Sequence, residues 1–141
     1  LPLLKDREEA VVLNVGSIFG SIGHPGFTVY CATKSGLMRF SEALARELAD
    51  SSIRVAYIAP RATRTSLNDT RVNGMNEELG NRSDSPSLVA DEIVAMLGRQ
   101  GAVRYLGWPE KLFVRLNALV PSVVGSALEK NLSVIRRYAN R

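Results

Sequence analysis

Ala10-Val11-Val12-Leu13-Asn14-Val15-Gly16-Ser17 is the stretch that decides the fold. Its first six residues are apolar except Asn14, and Val11, Val12 and Val15 are β-branched. Charge precedes it at Arg7-Glu8-Glu9 and glycine follows, so it reads as a buried strand of the parallel kind. Residues 16–26, with glycines at 16, 20, 23 and 26, read as loop. A long helix opens near Thr28 or Thr33 and runs to about Asp50. Leu37, Phe40, Leu44 and Leu48 sit on it at helical spacing, with Met38 and Ala45 as a second apolar stripe. Ile53-Arg54-Val55-Ala56-Tyr57-Ile58 is the next strand, ended by Pro60. The polar residues 61–84 read as irregular. Ser85-Pro86 supplies an N-cap and a proline at the first helical position, predicting a helix to about Gly98. Val103-Arg104-Tyr105-Leu106 is a third strand, and residues 109–141 read as a helical tail interrupted at Pro121. Alternating strands and helices predict an α/β fold with right-handed crossovers. Three strands are few for a doubly wound sheet, so the prediction is a partial one, the second half of such a fold.

Composition narrows the function. With 141 residues, 45% hydrophobic and 23% charged, the chain is ordinary globular material, which excludes wholesale disorder. The lone Cys31 forms no intrachain disulfide, and with the lone His24 it argues against a Cys/His metal site. These counts suit a reducing, cytoplasmic setting. The net charge of +4 is uneven: residues 1–98 carry 10 basic and 12 acidic side chains, residues 99–141 carry 8 and 2. A basic tail suits a membrane surface, a nucleic acid or a phosphate-bearing ligand, but a solvated helix face is the preferred reading. The longest uncharged run near the C-terminus, Leu116 to Leu128, contains Pro121 and falls short of the roughly 20 apolar residues of a membrane span. The opening Leu1-Pro2-Leu3-Leu4 starts in mid-pattern, which suggests a piece of something longer or a processed product.

Two features carry chemistry. The glycines after the first strand are spaced G-x-x-x-G-x-x-G rather than G-x-G-x-x-G, and no acidic residue follows at the distance ribose recognition needs. They therefore read either as a pyrophosphate cradle or, preferably, as a turn exposing Ser17 at the carboxyl end of a strand, where open α/β sheets bind ligands. Tyr30 and Lys34 stand at i and i+4, one above the other on a helix face. An ammonium beside a phenol favours phenolate, which suits proton exchange with an alcohol or carbonyl oxygen, and the Ser17 hydroxyl would hold that oxygen. The plain alternative is a surface pair. Cys31, about 100° round the helix from Tyr30, is expected to pack. His24 lines the loop or contacts substrate, and Trp108-Pro109 anchors the tail to the sheet or, as the less favoured reading, lies exposed at a membrane interface.

Asn14-Val15-Gly16-Ser17-Ile18-Phe19-Gly20, Pro25-Gly26-Phe27 and Tyr30-Cys31-Ala32-Thr33-Lys34 together resemble the catalytic segment of the short-chain dehydrogenase/reductase family. The following Arg54-Val55-Ala56-Tyr57-Ile58-Ala59-Pro60 resembles its next strand, so the likeness covers at least residues 10–67. The resemblance implies that residues 1–141 are the C-terminal half of one Rossmann-like domain, with 109–141 as helical tail. It also implies hydride transfer between NAD or NADP and a small-molecule carbonyl or secondary alcohol. In that family Tyr30 would protonate the oxygen, Ser17 would orient it, and Lys34 would tune Tyr30 and bind the nicotinamide ribose. Pro60, Arg61, Thr63 and Thr65 would belong to the cofactor loop, with Thr65 toward the carboxamide. The family's loop reads Pro-Gly where this chain has Pro60-Arg61. Arg61 or Arg64 would face a cofactor phosphate or, preferably, solvent. The family's glycine-rich cofactor turn and catalytic asparagine have no counterpart here, and Asn14 does not replace the latter. A homo-oligomer is expected from the long helix, whose Met38, Phe40 and Ala45 would lie open. The competing readings are a non-catalytic fragment or interaction subunit, and a lipid-surface protein using the basic tail. Nucleic acid is not expected as a partner.

Overall fold

The computed structural model describes residues 1–66, 68–98 and 101–139. Residue 67, at the edge of the family likeness, and the last residues of the expected tail, 140–141, lie outside that set, as does Arg99 of the basic excess. A four-residue helix α1 (Pro2–Lys5) leads to β1 (Ala10–Val15), a 3-10 turn (Ile18–Gly20), the long helix α2 (Thr28–Glu47) and β2 (Ile53–Ala59). Then come α3 (Thr70–Glu78), α4 (Pro86–Leu97), β3 (Val103–Tyr105), α5 (Glu110–Leu119), α6 (Pro121–Lys130) and α7 (Leu132–Ala139).

Among the described residues the strands form one parallel sheet in the order β1-β2-β3. Ala10 is opposite Ile53 and Val15 opposite Ile58, while Tyr57 to Ala59 face Val103 to Tyr105. The central strand β2 is covered on both faces, which is why Val55 to Ala59 are all at most 4% exposed. Tyr57 and Ala59 point into a core with Ile18, Ile22, Val114 and Val124, backed by Leu37 and Met38 of α2. Ala56 and Ile58 point into a second core with Val89, Met96 and Leu106, backed by Leu13. Helices thus cover both faces of the sheet, the doubly wound arrangement.

The α4 helix follows its sequence signals: Ser85 Oγ accepts from the Leu88 N–H, Pro86 occupies the first turn and Gly98 ends it. Other expectations are corrected. Residues 61–84 are not wholly irregular, because Asp69 caps α3 by accepting from the Val72 N–H and α7 packs on that helix. On α2 the inward stripe is a single one centred on Ser41, which is 3% exposed. Phe40, one residue or about 100° away, is 56% exposed, whereas Met38 packs on the core rather than lying open. The helix also stops at Glu47, short of Asp50. Trp108 is 66% exposed rather than buried as an anchor, and the tail is seated by Val114, Val124 and Ile135. Besides the expected break at Pro121, Asn131 ends α6 and divides the tail again. No helix among the described residues is long and apolar enough to cross a membrane.

Candidate active site

The loop that follows β1 stays on the sheet edge after the strand has ended. The Gly16 N–H donates to the Ile58 carbonyl at 2.7 Å and the Ile18 N–H to the Pro60 carbonyl at 3.0 Å. Gly16 must lack a side chain, since a Cβ there would lie 2.0 Å from Tyr57 Oη. Likewise a Cβ at Gly20 would meet the Lys34 carbonyl oxygen at 2.9 Å. These two glycines are therefore filled from within the protein, which favours the turn reading over a pyrophosphate cradle. Ser17 Oγ accepts from the Phe19 N–H at 3.2 Å, capping the 3-10 turn. The phenol of Tyr57, only 1% exposed as a residue, donates to the Ser17 carbonyl and receives the Ser17 N–H, both at 3.4 Å. Burial pushes the Tyr57 phenol above its usual value, so it stays protonated and able to donate.

Side-chain hydrogen bonds tie helix α2 to this edge. Asn14 Nδ2 donates to Ser41 Oγ at 2.9 Å, and Ser41 donates onward to the Leu37 carbonyl at 2.7 Å. Ser35 Oγ donates to the Gly20 carbonyl at 2.8 Å. Lys34 Nζ donates to the Val15 carbonyl at 3.1 Å and lies 5.7 Å from the centroid of the Tyr30 ring. The i, i+4 spacing thus brings ammonium and phenol together beside the end of β1. Tyr30 is 43% exposed, with its ring edge-on to Phe19 and Phe27 at 6.4 and 6.3 Å between centroids. His24 lies against Phe19 at 4.6 Å, nearly parallel, and its Nδ1 donates to the Pro25 carbonyl at 2.8 Å. Its burial lowers its affinity for a proton below the ordinary histidine value. His24 lines the loop as packing, and Cys31 does the same behind it, its sulfur accepting the His24 N–H at 3.4 Å.

The second loop, after β2, spends its charged groups on residues outside itself, at positions 83, 84 and 110. Pro60 is buried and its carbonyl is taken by Ile18. Arg61 is neither exposed nor turned outward, which corrects the solvent reading. Its side chain is 16% exposed, with Nε and Nη2 on Asp84 Oδ1 at 2.9 and 2.6 Å and Nη1 3.4 Å from both Glu110 oxygens. That guanidinium is committed to two carboxylates and is not free for a phosphate. Gly107, at φ +90°, makes room for it, since a Cβ there would be 2.7 Å from Arg61 Cδ. Thr63 Oγ1 donates back to the Arg61 carbonyl at 3.1 Å, and Arg64 donates to the Ser83 carbonyl at 2.8 Å while remaining exposed. Thr65 is exposed, and its carbonyl receives the Asn68 N–H at 3.2 Å.

The structure therefore gathers Ser17, Tyr30 and Lys34 at the end of β1, with Pro60 tied to the same turn. Arg61 and Thr63 turn toward residue 84. Sequence reasoning missed Tyr57 as the support under Ser17, and Asp84 and Glu110 as partners of Arg61. For Tyr57 a signal existed: a tyrosine inside an apolar strand needs a partner for its hydroxyl. For the carboxylates none existed, being 23 and 49 residues away.

Comparison with known proteins places this geometry in a family. The short chain dehydrogenase family model matches residues 1–76, more than half of the chain. The NADP-dependent 3-hydroxy acid dehydrogenase of Schizosaccharomyces pombe is 33% identical over 98 residues, covering 69% of this chain and 38% of that protein. In structure, a short chain dehydrogenase from Burkholderia cenocepacia solved with NADP shares the fold at TM-score 0.73 and 21% identity, over 90% of this chain and 50% of that one. A 3-ketoacyl-(acyl-carrier-protein) reductase from Brucella melitensis, complexed with NADH, matches at TM-score 0.63 and 27% identity, over 78% of this chain and 49% of that one. The chain spans less than half the length of the curated relatives it matches first. Its parallel sheet agrees with that match, and the chain belongs to the short-chain dehydrogenase family.

Proposed function

We propose that this chain carries the proton-transfer half of a nicotinamide-dependent oxidoreductase acting on a carbonyl or secondary alcohol. One observation carries the reading: Lys34 Nζ, held on the Val15 carbonyl, stands over the Tyr30 ring at the strand end that also bears Ser17. Bound NAD or NADP would supply or take the hydride. In the reductive direction Tyr30 gives its phenolic proton to the substrate oxygen. Ser17 Oγ, already a hydrogen-bond acceptor from Phe19, has its own proton left to hold that oxygen in place. Lys34 stabilises the phenolate that remains.

The residues present fit the nicotinamide end of such a cofactor. Lys34 spends one of its three protons on Val15 and has two for ribose hydroxyls. Thr65 offers an exposed hydroxyl on the neighbouring loop, and Pro60 fixes where that loop begins. Arg61 and Thr63 contribute through backbone position, their side chains being engaged elsewhere. Gly16 and Gly20, filled by Tyr57 and the Lys34 carbonyl, do not fit a pyrophosphate. We read the chain accordingly as the second half of one Rossmann-like domain, which its coverage of relatives supports. A cytoplasmic setting suits the single free cysteine, and the exposed Phe40 on α2 supports a homo-oligomer.

The test is Tyr30→Phe in the full-length protein, with carbonyl reduction followed by nicotinamide absorbance and cofactor affinity measured by titration. The rate should fall by about 10²–10⁴-fold while cofactor affinity stays, because only the phenolic proton is lost. Retention of more than about a tenth of kcat would overturn the assignment.

A further inference from the structure

Helix α5 turns the wrong residues outward for an ordinary surface helix. Val114 seats it on the core, and Glu110 is held by Arg61. Leu112 lies about 160° round the helix from Val114, and Leu119 about 140°. These two leucines are seven residues apart and so share the outward face. Polar residues belong on such a face, yet Leu112 is 48% and Leu119 81% exposed. The apolar surface continues along the chain in both directions. Trp108 precedes the helix, and Val120 and Val123 follow it where α5 gives way to α6, all three exposed. Such a run differs from the singly scattered apolar side chains that are normal on a surface.

Charge selects the partner. Arg115 lies within about 60° of both leucines, and Lys111 stands one turn before it on the same flank. Both are exposed, and neither has an ion pair among the described residues, whereas Arg104 and Arg137 are paired with Glu92 and Glu78. Residues 111–128 contain no aspartate or glutamate, and Glu110 is already engaged by Arg61. The face is therefore apolar with a cationic flank. Between residues 112 and 123 the exposed polar side chains are those of Arg115 and Ser122. Those are few for a protein contact, which uses about one hydrogen bond per 100–200 Å². A two-fold contact with a second copy would set the cationic flank against itself. An anionic lipid surface matches both features. Leucine, valine and tryptophan side chains enter the acyl boundary, and the lysine and arginine stems lie along it with their heads at the phosphates. We propose that the α5–α6 face docks this protein on an anionic lipid surface. It lies in the interface without crossing it, since each helix has only 10 residues. The inference is independent of the carbonyl-reduction reading, because it concerns binding alone.

The experiment is flotation of the full-length protein with phosphatidylcholine vesicles, with and without about 30 mol% phosphatidylserine. The protein should float with the phosphatidylserine vesicles, and its partition into pure phosphatidylcholine should be at least about tenfold weaker. Raising the salt from about 0.05 M to about 0.5 M should weaken the phosphatidylserine binding by at least about tenfold. Two double variants separate the apolar from the charged contribution: Leu112→Ser with Leu119→Ser, and Lys111→Glu with Arg115→Glu. All four positions are exposed, so melting temperatures should stay close to the wild type, while each pair lowers the partition by at least about tenfold. Tryptophan emission, read as the difference between the wild type and Trp108→Phe, should shift to the blue on adding phosphatidylserine vesicles. Absence of flotation, binding that ignores phosphatidylserine and salt, or unchanged binding in either double variant would overturn the proposal. A fall in sedimenting mass of the leucine double variant, with no vesicle binding by the wild type, would overturn it in favour of a contact between copies. None of these outcomes depends on whether Tyr30 transfers a proton.

Discussion

Two loops leave the same edge of the sheet, and different forces hold them. The loop after β1 is fixed by neutral groups: the Ser17 cap, the Tyr57 phenol, the Ser35 hydroxyl on Gly20, and His24 stacked on Phe19. The loop after β2 is fixed by charge, with Arg61 between Asp84 and Glu110. The first leaves the phenol of Tyr30 and two protons of Lys34 accessible, while the second consumes its best donor. A proton-transferring site gains from a neutral loop, because the charge that acts on the phenol is then supplied by Lys34 of α2 rather than by the loop itself. A loop that only has to stay in place can spend charges freely.

Removing one element from each loop measures this contrast. The largest effect is expected from Arg61→Met. It strands Asp84, only 7% exposed, without its partner, and breaking a buried pair in this way costs about 3–5 kcal/mol. Urea denaturation checks it, and adding Asp84→Asn should recover a large part of the loss. A loss below about 1 kcal/mol would mean that the pair behaves as a surface one and that charge does not hold this loop.

A smaller loss is expected from Gly16→Ala. The new methyl would lie 2.0 Å from Tyr57 Oη, so the tyrosine or the turn must move, and overpacking of this kind costs about 1–3 kcal/mol. Because Ser17 moves with the turn, carbonyl reduction by the full-length variant should fall more than its stability does. Unchanged stability and activity would show that Tyr57 does not set the position of Ser17.

The smallest effect is a pH dependence. Burial holds His24 below its ordinary 6.5, with the Pro25 hydrogen bond opposing. The unfolded chain therefore binds a proton at a pH where the folded one still refuses it. This contribution to stability is fully present above about pH 6.5 and is lost as pH falls toward the folded value. His24→Phe keeps a ring against Phe19 and removes the titration. Its melting temperature should therefore drop less than that of the wild type between about pH 7.5 and about pH 5.5. Equal drops would place the pH sensitivity elsewhere.

Legibility differed between these loops for the same reason that their forces differ. The β1 strand, the half-buried serine beyond its end and the tyrosine–lysine pair depend on short spacings, which the pleat of a strand and the turn of a helix convert directly into position. The strands at 10–15 and 53–59 and the capped helix after Ser85 were legible on the same ground. The α3 helix was not, because Asn73, Gly74 and Asn76 weaken its own propensity and its support comes from Tyr138 and Arg137, about sixty residues away.

Sequence by itself determined the α/β alternation, the parallel sheet and the candidate trio Ser17, Tyr30 and Lys34. The alternation follows from backbone periodicity over a few residues, and the trio from the motifs by which the sequence resembles the family. Only the tertiary structure decided that Gly16 and Gly20 make room for Tyr57 and Lys34 rather than a phosphate, and that Arg61 faces inward to Asp84 and Glu110. It also decided that Phe40 lies outside the buried face of α2 and that α7 packs on α3. These outcomes depend on which distant segments meet once the chain has closed on itself. Local spacing carries no information about those meetings, whereas burial and the need to pair every buried polar group decide them.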